Sequence, residues 1–350
     1  MKKFPNSRYK KLFEGLFYLV LYIYFFSHYL LWINSQWFHP DEPLWIWVSQ
    51  KYFRLFFLER NFFHPDWNES FNNFGKFNPK IGQYIMGLSL FLAGEIDHEF
   101  SADKYNFFRS KEWNSKMGHT PAWHTLFFAR LPIPFFGAGL CVLLFCFLKK
   151  VLHWFPAFLA SLWLGNHPLI IRFSSLAMQD IPALCFALLF LTHLISVNWR
   201  NLNNFLKYKK IFQLVLNGFL LGLAVATKMN NMVLIVILFI YWGWITFCRP
   251  SGRKIKFELR KANLKNWLGK NLIIIGTGFF IFEISNPYLY SHTPLALIIL
   301  GVLIKTLRFL YPEEALWNFS QKIFALKQIL FPTEWYFKLL LYFLLIMGGG

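Results

Sequence analysis

Apolar residues fall in long runs along this chain, separated by short polar clusters. A helix needs about 20 mostly apolar residues to cross the hydrocarbon core of a bilayer. Runs that serve this purpose lie at 12–34, 124–148, 154–171, 181–198, 211–228, 231–248, 271–286 and 335–347, which predicts about eight crossings. The first run is too long and too aromatic for a signal peptide and lacks a small-residue cleavage site, so it is expected to be retained. Between the first two crossings, the segment 35–123 holds two shorter apolar pieces. In 43–58 (PLWIWVSQKYFRLFFL), Leu44, Trp47, Val48 and Leu55 share one helical face, while Ser49, Gln50, Lys51 and Arg54 lie elsewhere. That pattern suits a helix lying in the interface plane. The piece 80–94 (KIGQYIMGLSLFLAG) is short and glycine-rich, and is expected to be a second interfacial or re-entrant helix. The segment 287–332 holds a similar piece at 295–310, interrupted by Lys305 and Arg308. The pattern predicts an all-α integral membrane protein. Residues 1–350 are expected to form one polytopic helix bundle, with two amphipathic outer-face helices in its first outer loop.

Composition and charge sharpen this picture. With 56% hydrophobic and only 15% charged residues, the chain is not a soluble domain. Segments 1–11, 149–150, 199–210 and 249–270 hold 19 Lys and Arg against one acid, Glu258. If each run crosses once, all four segments share a side, which the positive-inside rule makes cytoplasmic. A crossing at 80–94 would move Lys149 and Lys150 to the other side. The net charge of +19 is therefore a topology signal. It is spread over short loops without stacking platforms, which argues against nucleic acid as a partner. Cys141, Cys146, Cys185 and Cys248 lie in apolar runs without C-x-x-C spacing, and no histidine pair has H-E-x-x-H spacing. Neither a protein-held metal nor a cofactor is expected.

The sharpest chemical feature is Asp41-Glu42 in WFHPDEPLW (37–45), where the first crossing surfaces. Ionisable groups at such a place are functional candidates. An acid before Pro43 is also a helix-start signal, and both readings stand on position alone. Asp180, in RFSSLAMQDIPALCF (172–186), heads the fourth crossing on the same predicted side, again with a proline, Pro182, two residues on. Two acids emerging on one face favour a shared pocket.

Read in order, HPDEPLWIWVSQ (39–50), KFNPKIGQYIMGLSLFLAG (76–94), FFARLPIPFFGAGL (127–140), SSLAMQDIPALCFALLF (174–190), GFLLGLAVATKMN (218–230) and NPYLY (286–290) resemble the polytopic GT-C glycosyltransferases. These enzymes take a sugar from a polyprenyl phosphate, and they include the protein O-mannosyltransferases and the lipid A aminoarabinose transferases. The resemblance implies an inverting transfer from a polyprenyl-phosphate-linked sugar to a protein, lipid or glycan acceptor, at the outer face of a cell membrane or the luminal face of the endoplasmic reticulum. It makes Asp41 the acid that orients or deprotonates the acceptor, with Glu42 its neighbour, and Asp180 the second acid. Arg130 matches an arginine at the outer end of the second crossing. The aminoarabinose branch has Lys before Pro where this chain has Pro79 before Lys80, which leaves either Lys80 or Lys76 to meet the phosphate. The W-W-D signature of oligosaccharyltransferases is absent.

This chemistry needs cations for the leaving phosphate and a carboxylate near the acceptor. Lys80, Arg130, Arg172 and Lys228 are the expected outer-face cations, and His39 and His64 the expected pocket histidines. The plain alternative for each cation is an anchor that snorkels to lipid headgroups. The competing class is a transporter or lipid-handling protein without catalysis, which would also hold acids in a cavity. A third reading is an inactive assembly partner. Because family members continue with further crossings or a soluble domain, the chain is expected to be C-terminally incomplete.

Overall fold

In a computed structural model, the first apolar run forms helix α1 (Ser7–Trp32). The structure describes residues 7–36, 38–69, 78–98, 100–196, 208–251, 254–257, 261–287 and 289. The helices that follow are α2 (Glu42–Phe53), α3 (Asp66–Glu69), α4 (Ile81–Leu92), α5 (Lys111–Lys116), α6 (Trp123–Arg130), α7 (Pro132–Leu148), α8 (Trp154–Gly165), α9 (Pro168–Phe173), α10 (Asp180–Ser196), α11 (Tyr208–Thr227), α12 (Val233–Phe247) and α13 (Lys261–Ser285). Strands β1 (Cys248–Ser251) and β2 (Lys254–Phe257) pair antiparallel between α12 and α13, a hairpin that the apolar pattern does not announce.

Among the described residues, four stretches are long and apolar enough to cross a membrane: Leu12–Trp32, Trp123–Leu148, Met229–Phe247 and Trp267–Ser285. The second joins α6 to α7 through Leu131, whose backbone stays helical, because Pro132 at the first helical position needs no N–H partner. The expected crossings at 181–198 and 211–228 form the shorter apolar helices Asp180–Ser196 and Ile211–Thr227. The expected crossing at 154–171 is interrupted. Asn166 and His167 separate α8 from α9, because Pro168 has no N–H to continue the ladder. The last helix, α13, starts ten residues before its apolar run, within the basic segment. The expected interfacial piece at 295–310 and the crossing at 335–347 lie outside the described residues.

The chain separates into two compact units, one of residues 1–54 and 78–282 and the other of residues 55–77 and 283–350. In the first, α1, α7 and α8 share a core of Leu21, Phe25, Tyr29, Ala138, Cys141, Phe145 and Ala157. Helices α10 to α13 share another built around Phe190, Leu221, Leu238, Trp242 and Ile274. Gly218 and Gly222 let α11 approach α13 closely. A Cβ on Gly222 would lie 2.7 Å from the carbonyl oxygen of Gly278, and one on Gly218 2.6 Å from that of Ile274. Small residues four apart are a familiar device for packing membrane helices without bulky side chains. At one end of α1, Lys149 Nζ donates to Glu14 Oε1 at 3.2 Å and to the Tyr18 hydroxyl at 3.3 Å. Within the second unit, the Trp67 indole donates to the Asn61 carbonyl at 2.8 Å.

Helices α2 and α4 occur where the apolar pieces 43–58 and 80–94 are read, but α2 is not two-faced. Ser49 and Gln50, expected off the apolar face, are buried like Leu44 and Val48. Each has a polar partner. Ser49 Oγ donates to the Trp45 carbonyl at 2.6 Å, and Gln50 Nε2 donates to the carbonyls of Glu95 at 2.8 Å and His98 at 3.0 Å. Gly87 of α4 seats directly against α2, since a Cβ there would come within 2.7 Å of the Ser49 carbonyl oxygen.

Candidate functional site

At the other end of α1, four segments are tied together around one buried carboxylate. Glu42, the first residue of α2, has no exposed surface. Arg130, the last residue of α6, grips it with two bonds, Nε to Oε1 and Nη2 to Oε2, both 2.7 Å. The same carboxylate accepts the backbone N–H of His39 at 2.9 Å and that of Ala177 at 2.9 Å. Arg130 Nη1 donates to the carbonyl of Ile33 at 2.8 Å. A buried charge is tolerated only when it is paired and fully hydrogen-bonded, and Glu42 meets both conditions. The pair thereby fixes the turn after α1, the start of α2, the end of α6 and the loop ahead of α10.

The neighbouring acid has the opposite environment. Asp41 precedes α2 at the capping position, yet its side chain makes no capping bond to the helix. Its carboxylate is 48% exposed and lies 3.7 Å from His39 Nδ1. That nitrogen accepts the Asp41 backbone N–H at 3.2 Å, so the ring proton sits on Nε2 when His39 is neutral. The helix start is instead held by the backbone, with Glu42 N–H donating to His39 O at 3.0 Å and Trp45 N–H to Asp41 O at 3.1 Å. Asp41 therefore places a half-exposed anion at a helix N-terminus, where the aligned peptide dipoles favour negative charge. Tyr105 borders it. Burial raises the pKa of the Tyr105 hydroxyl, and the Asp41 charge raises it further, while its ring lies 6.2 Å from that of Phe38.

The loop after α9 carries this arrangement across to the second acid. Gly82, in the first turn of α4, lies against Gln179 and Thr227, and a Cβ there would fall 2.5 Å from Gln179 Cβ and 3.5 Å from Thr227 Cγ2. Next to these two residues, Asp180 at the head of α10 pairs with Lys228 Nζ, each about one-third exposed. Asn231 Nδ2 steadies that corner by donating to the carbonyls of Ala183 at 3.1 Å and Ala224 at 2.8 Å. Two residues before Gly82, Lys80 is fully buried. Its ammonium donates to the Asn78 carbonyl at 2.7 Å and stands 4.4 Å over the Tyr52 ring. Burial pulls its pKa down to about 7.

The structure thus gathers Asp41, Glu42, His39, Arg130, Asp180, Lys228 and Lys80 by direct contacts or through adjacent residues. Arg172 is not gathered. It is exposed on the last turn of α9 and has no side-chain partner among the described residues. His64 falls in the second unit beside Asp66, at 3.4 Å. Lys76 lies outside the described residues. Among those described, no group of three His, Cys, Asp or Glu side chains could hold a metal ion.

Sequence reasoning passed over a second polar knot. Glu95, after α4, takes a bond from Thr125 Oγ1 at 2.6 Å and lies 2.7 Å from His124 Nδ1 and 3.1 Å from His98 Nδ1. Burial pushes its pKa up, but these hydrogen bonds and the nearby histidines outweigh burial and hold it below the usual carboxylate value. No local motif joins residues 30 apart, so nothing in the sequence singled them out.

The sequence model described as dolichyl-phosphate-mannose-protein mannosyltransferase matches residues 99–282. Those residues include Arg130, Asp180 and Lys228, and leave Asp41, Glu42 and Lys80 upstream. Among solved structures, the chain is similar to one from the S. cerevisiae protein O-mannosyltransferase Pmt1–Pmt2 complex bound to the sugar donor. The identity is 12% and the TM-score 0.53, with 82% of this chain and 34% of that chain covered. The chain thus spans about a third of the solved protein's length. No curated protein sequence matches it.

Proposed function

Because the chain belongs to the dolichyl-phosphate-mannose-protein mannosyltransferase family, we propose that it moves a mannosyl group from a polyprenyl-phosphate donor to an acceptor hydroxyl, at the outer or luminal face of its membrane. The observation that carries this reading is the division of labour between adjacent acids. Glu42 is locked into a buried clamp with Arg130, which holds Asp41 at the head of α2 with its carboxylate half exposed and unused as a cap.

In this reading the acceptor hydroxyl attacks the anomeric carbon while the bond from that carbon to the phosphate oxygen breaks. The bonding pair leaves with the phosphate, and the hydroxyl proton passes to Asp41 as general base. A single displacement inverts the anomeric centre. Developing charge on the phosphate is met by cations. Lys80 and Lys228 suit that role, with Asp180 orienting Lys228. An anionic donor beside Lys80 also favours its charged form, against the burial that now pulls its pKa down. Arg130, expected from the sequence to meet the phosphate, is assigned a positioning role because Glu42 and Ile33 engage its guanidinium. Arg172, which no contact among the described residues brings to the cluster, is left as an interfacial anchor.

The test is direct transfer. Purified protein in lipid nanodiscs is incubated with radiolabelled polyprenyl-phosphate mannose and hydroxyl-bearing peptide or glycan acceptors. Label should move to acceptor with the anomeric configuration opposite to that of the donor. Transport of intact donor lipid between leaflets without transfer would replace this reading with the transporter one.

A further inference from the structure

The contacts around α4 leave two buried amides unsatisfied. Gln83 has no exposed surface, and among the described residues neither its Nε2 nor its Oε1 has a hydrogen-bond partner; Gln179 is 2% exposed, and its Oε1 has none there either. Leaving a buried polar group unpaired forfeits its hydration without return, so two such residues at one place call for an explanation. They are close in the fold. Gly82, adjacent to Gln83, packs on Gln179 itself, with a Cβ position 2.8 Å from Gln179 Oε1. Gln83 lies one helical turn before Gly87, on the face of α4 that meets α2 at Ser49 and Phe53. The two amides therefore flank the first turn of α4, between the helix that begins at Asp41 and the Asp180–Lys228 corner.

The chemistry of the unfilled atoms narrows the ligand. Both Oε1 atoms accept hydrogen bonds only, so they need a donor, whereas Gln83 Nε2 needs an acceptor. An ionised phosphate diester has no proton to donate and leaves both oxygens unpaired. Sugar hydroxyls donate and accept at once, and satisfy all three atoms. The geometry points to Gln83 and Gln179 as specificity-determining residues that bind the hydroxyl groups of the donor's sugar, in a subsite beside the cations that receive its phosphate. This rests on the lipid-linked donor proposed above.

The test compares two lipids on the full chain in nanodiscs, a short-chain polyprenyl phosphate and the same lipid carrying mannose. Wild-type protein should bind both and prefer the mannosylated one. Gln83→Met and Gln179→Met keep the side-chain length and remove the amide. Each should lose about tenfold of that preference, as one well-formed hydrogen bond implies, with affinity for the bare lipid within about twofold of wild type. Thermal unfolding of the unliganded variants should stay level or rise, because an unpaired buried amide has been removed. If a Met variant misfolds, Gln83→Asn, which withdraws the amide by one methylene, should give the same selective loss. An equal loss for both lipids would assign the amides to the phosphate and overturn the inference. An unchanged preference would leave them as structural or water-bonded groups and overturn it too. Wild-type protein that binds neither lipid would instead refute the donor reading itself.

Discussion

The clamp between Glu42 and Arg130 makes a prediction that follows from its bond inventory. Arg130→Met removes the two hydrogen bonds to Glu42 at 2.7 Å and the one to the Ile33 carbonyl at 2.8 Å. It leaves a carboxylate with no exposed surface whose remaining partners among the described residues are the N–H groups of His39 and Ala177. Breaking a buried ion pair from one side costs about 3–5 kcal/mol. Glu42→Gln should cost a similar amount, because each carboxylate oxygen now accepts two donors and the amide turns an NH2 group toward two of them. For a chain of this size the loss corresponds to a fall in Tm of roughly 4–7 °C. Glu42→Leu/Arg130→Met removes both charges together and should recover part of that loss, with the stranded backbone groups of Ile33, His39 and Ala177 limiting the recovery. The assay is thermal unfolding of the three variants in nanodiscs, read as a double-mutant cycle. Single variants within about 1 °C of wild type, or a double variant as damaged as the sum of the singles, would refute the reasoning.

Two other predictions follow from the site and the charge pattern. Lys80 has a pKa pulled down to about 7 by burial, so donor affinity should weaken as pH rises through and above neutrality and the ammonium loses its proton. Donor binding should take up protons there, and Lys80→Met should abolish both effects in a titration of affinity against pH. If the basic segments are cytoplasmic, Phe108→Cys, at a fully exposed position, should react with an impermeant maleimide on intact cells, and Lys150→Cys only after permeabilisation. The reverse pattern would place the site on the wrong side.

The legible and illegible parts of the protein differ in the range of the interaction that decides them. Helix α1 and the run 123–148 announce themselves, because crossing length is a local property of the sequence. The break at Asn166–His167 was also local. Pro168 stands inside the predicted crossing 154–171, and hydropathy outweighed its missing N–H. Ser49 and Gln50 were misplaced for the opposite reason. A polar residue reads as solvent-facing until its partner is known, and the partners of Gln50 are carbonyls 45 and 48 residues away. The Asp41-Glu42 pair shows both sides of this. Its position after the first crossing marked it as a site, but nothing local says which acid is buried, since Arg130 lies 88 residues from Glu42. The capping alternative turns on geometry that no local pattern carries: the helix start is held by backbone bonds, and the Asp41 side chain makes no capping bond.

That carboxylate carries the proposed chemistry. Asn matches Asp as a helix-start residue and removes the negative charge and basicity on which acceptor deprotonation depends. Mannosyl transfer by purified Asp41→Asn protein, measured beside wild type at equal donor occupancy, tests the central claim directly. Turnover should fall by about 10²- to 10⁴-fold, with Tm and donor affinity close to wild type. Turnover close to wild type would show that Asp41 is not the base and contradict the mechanism.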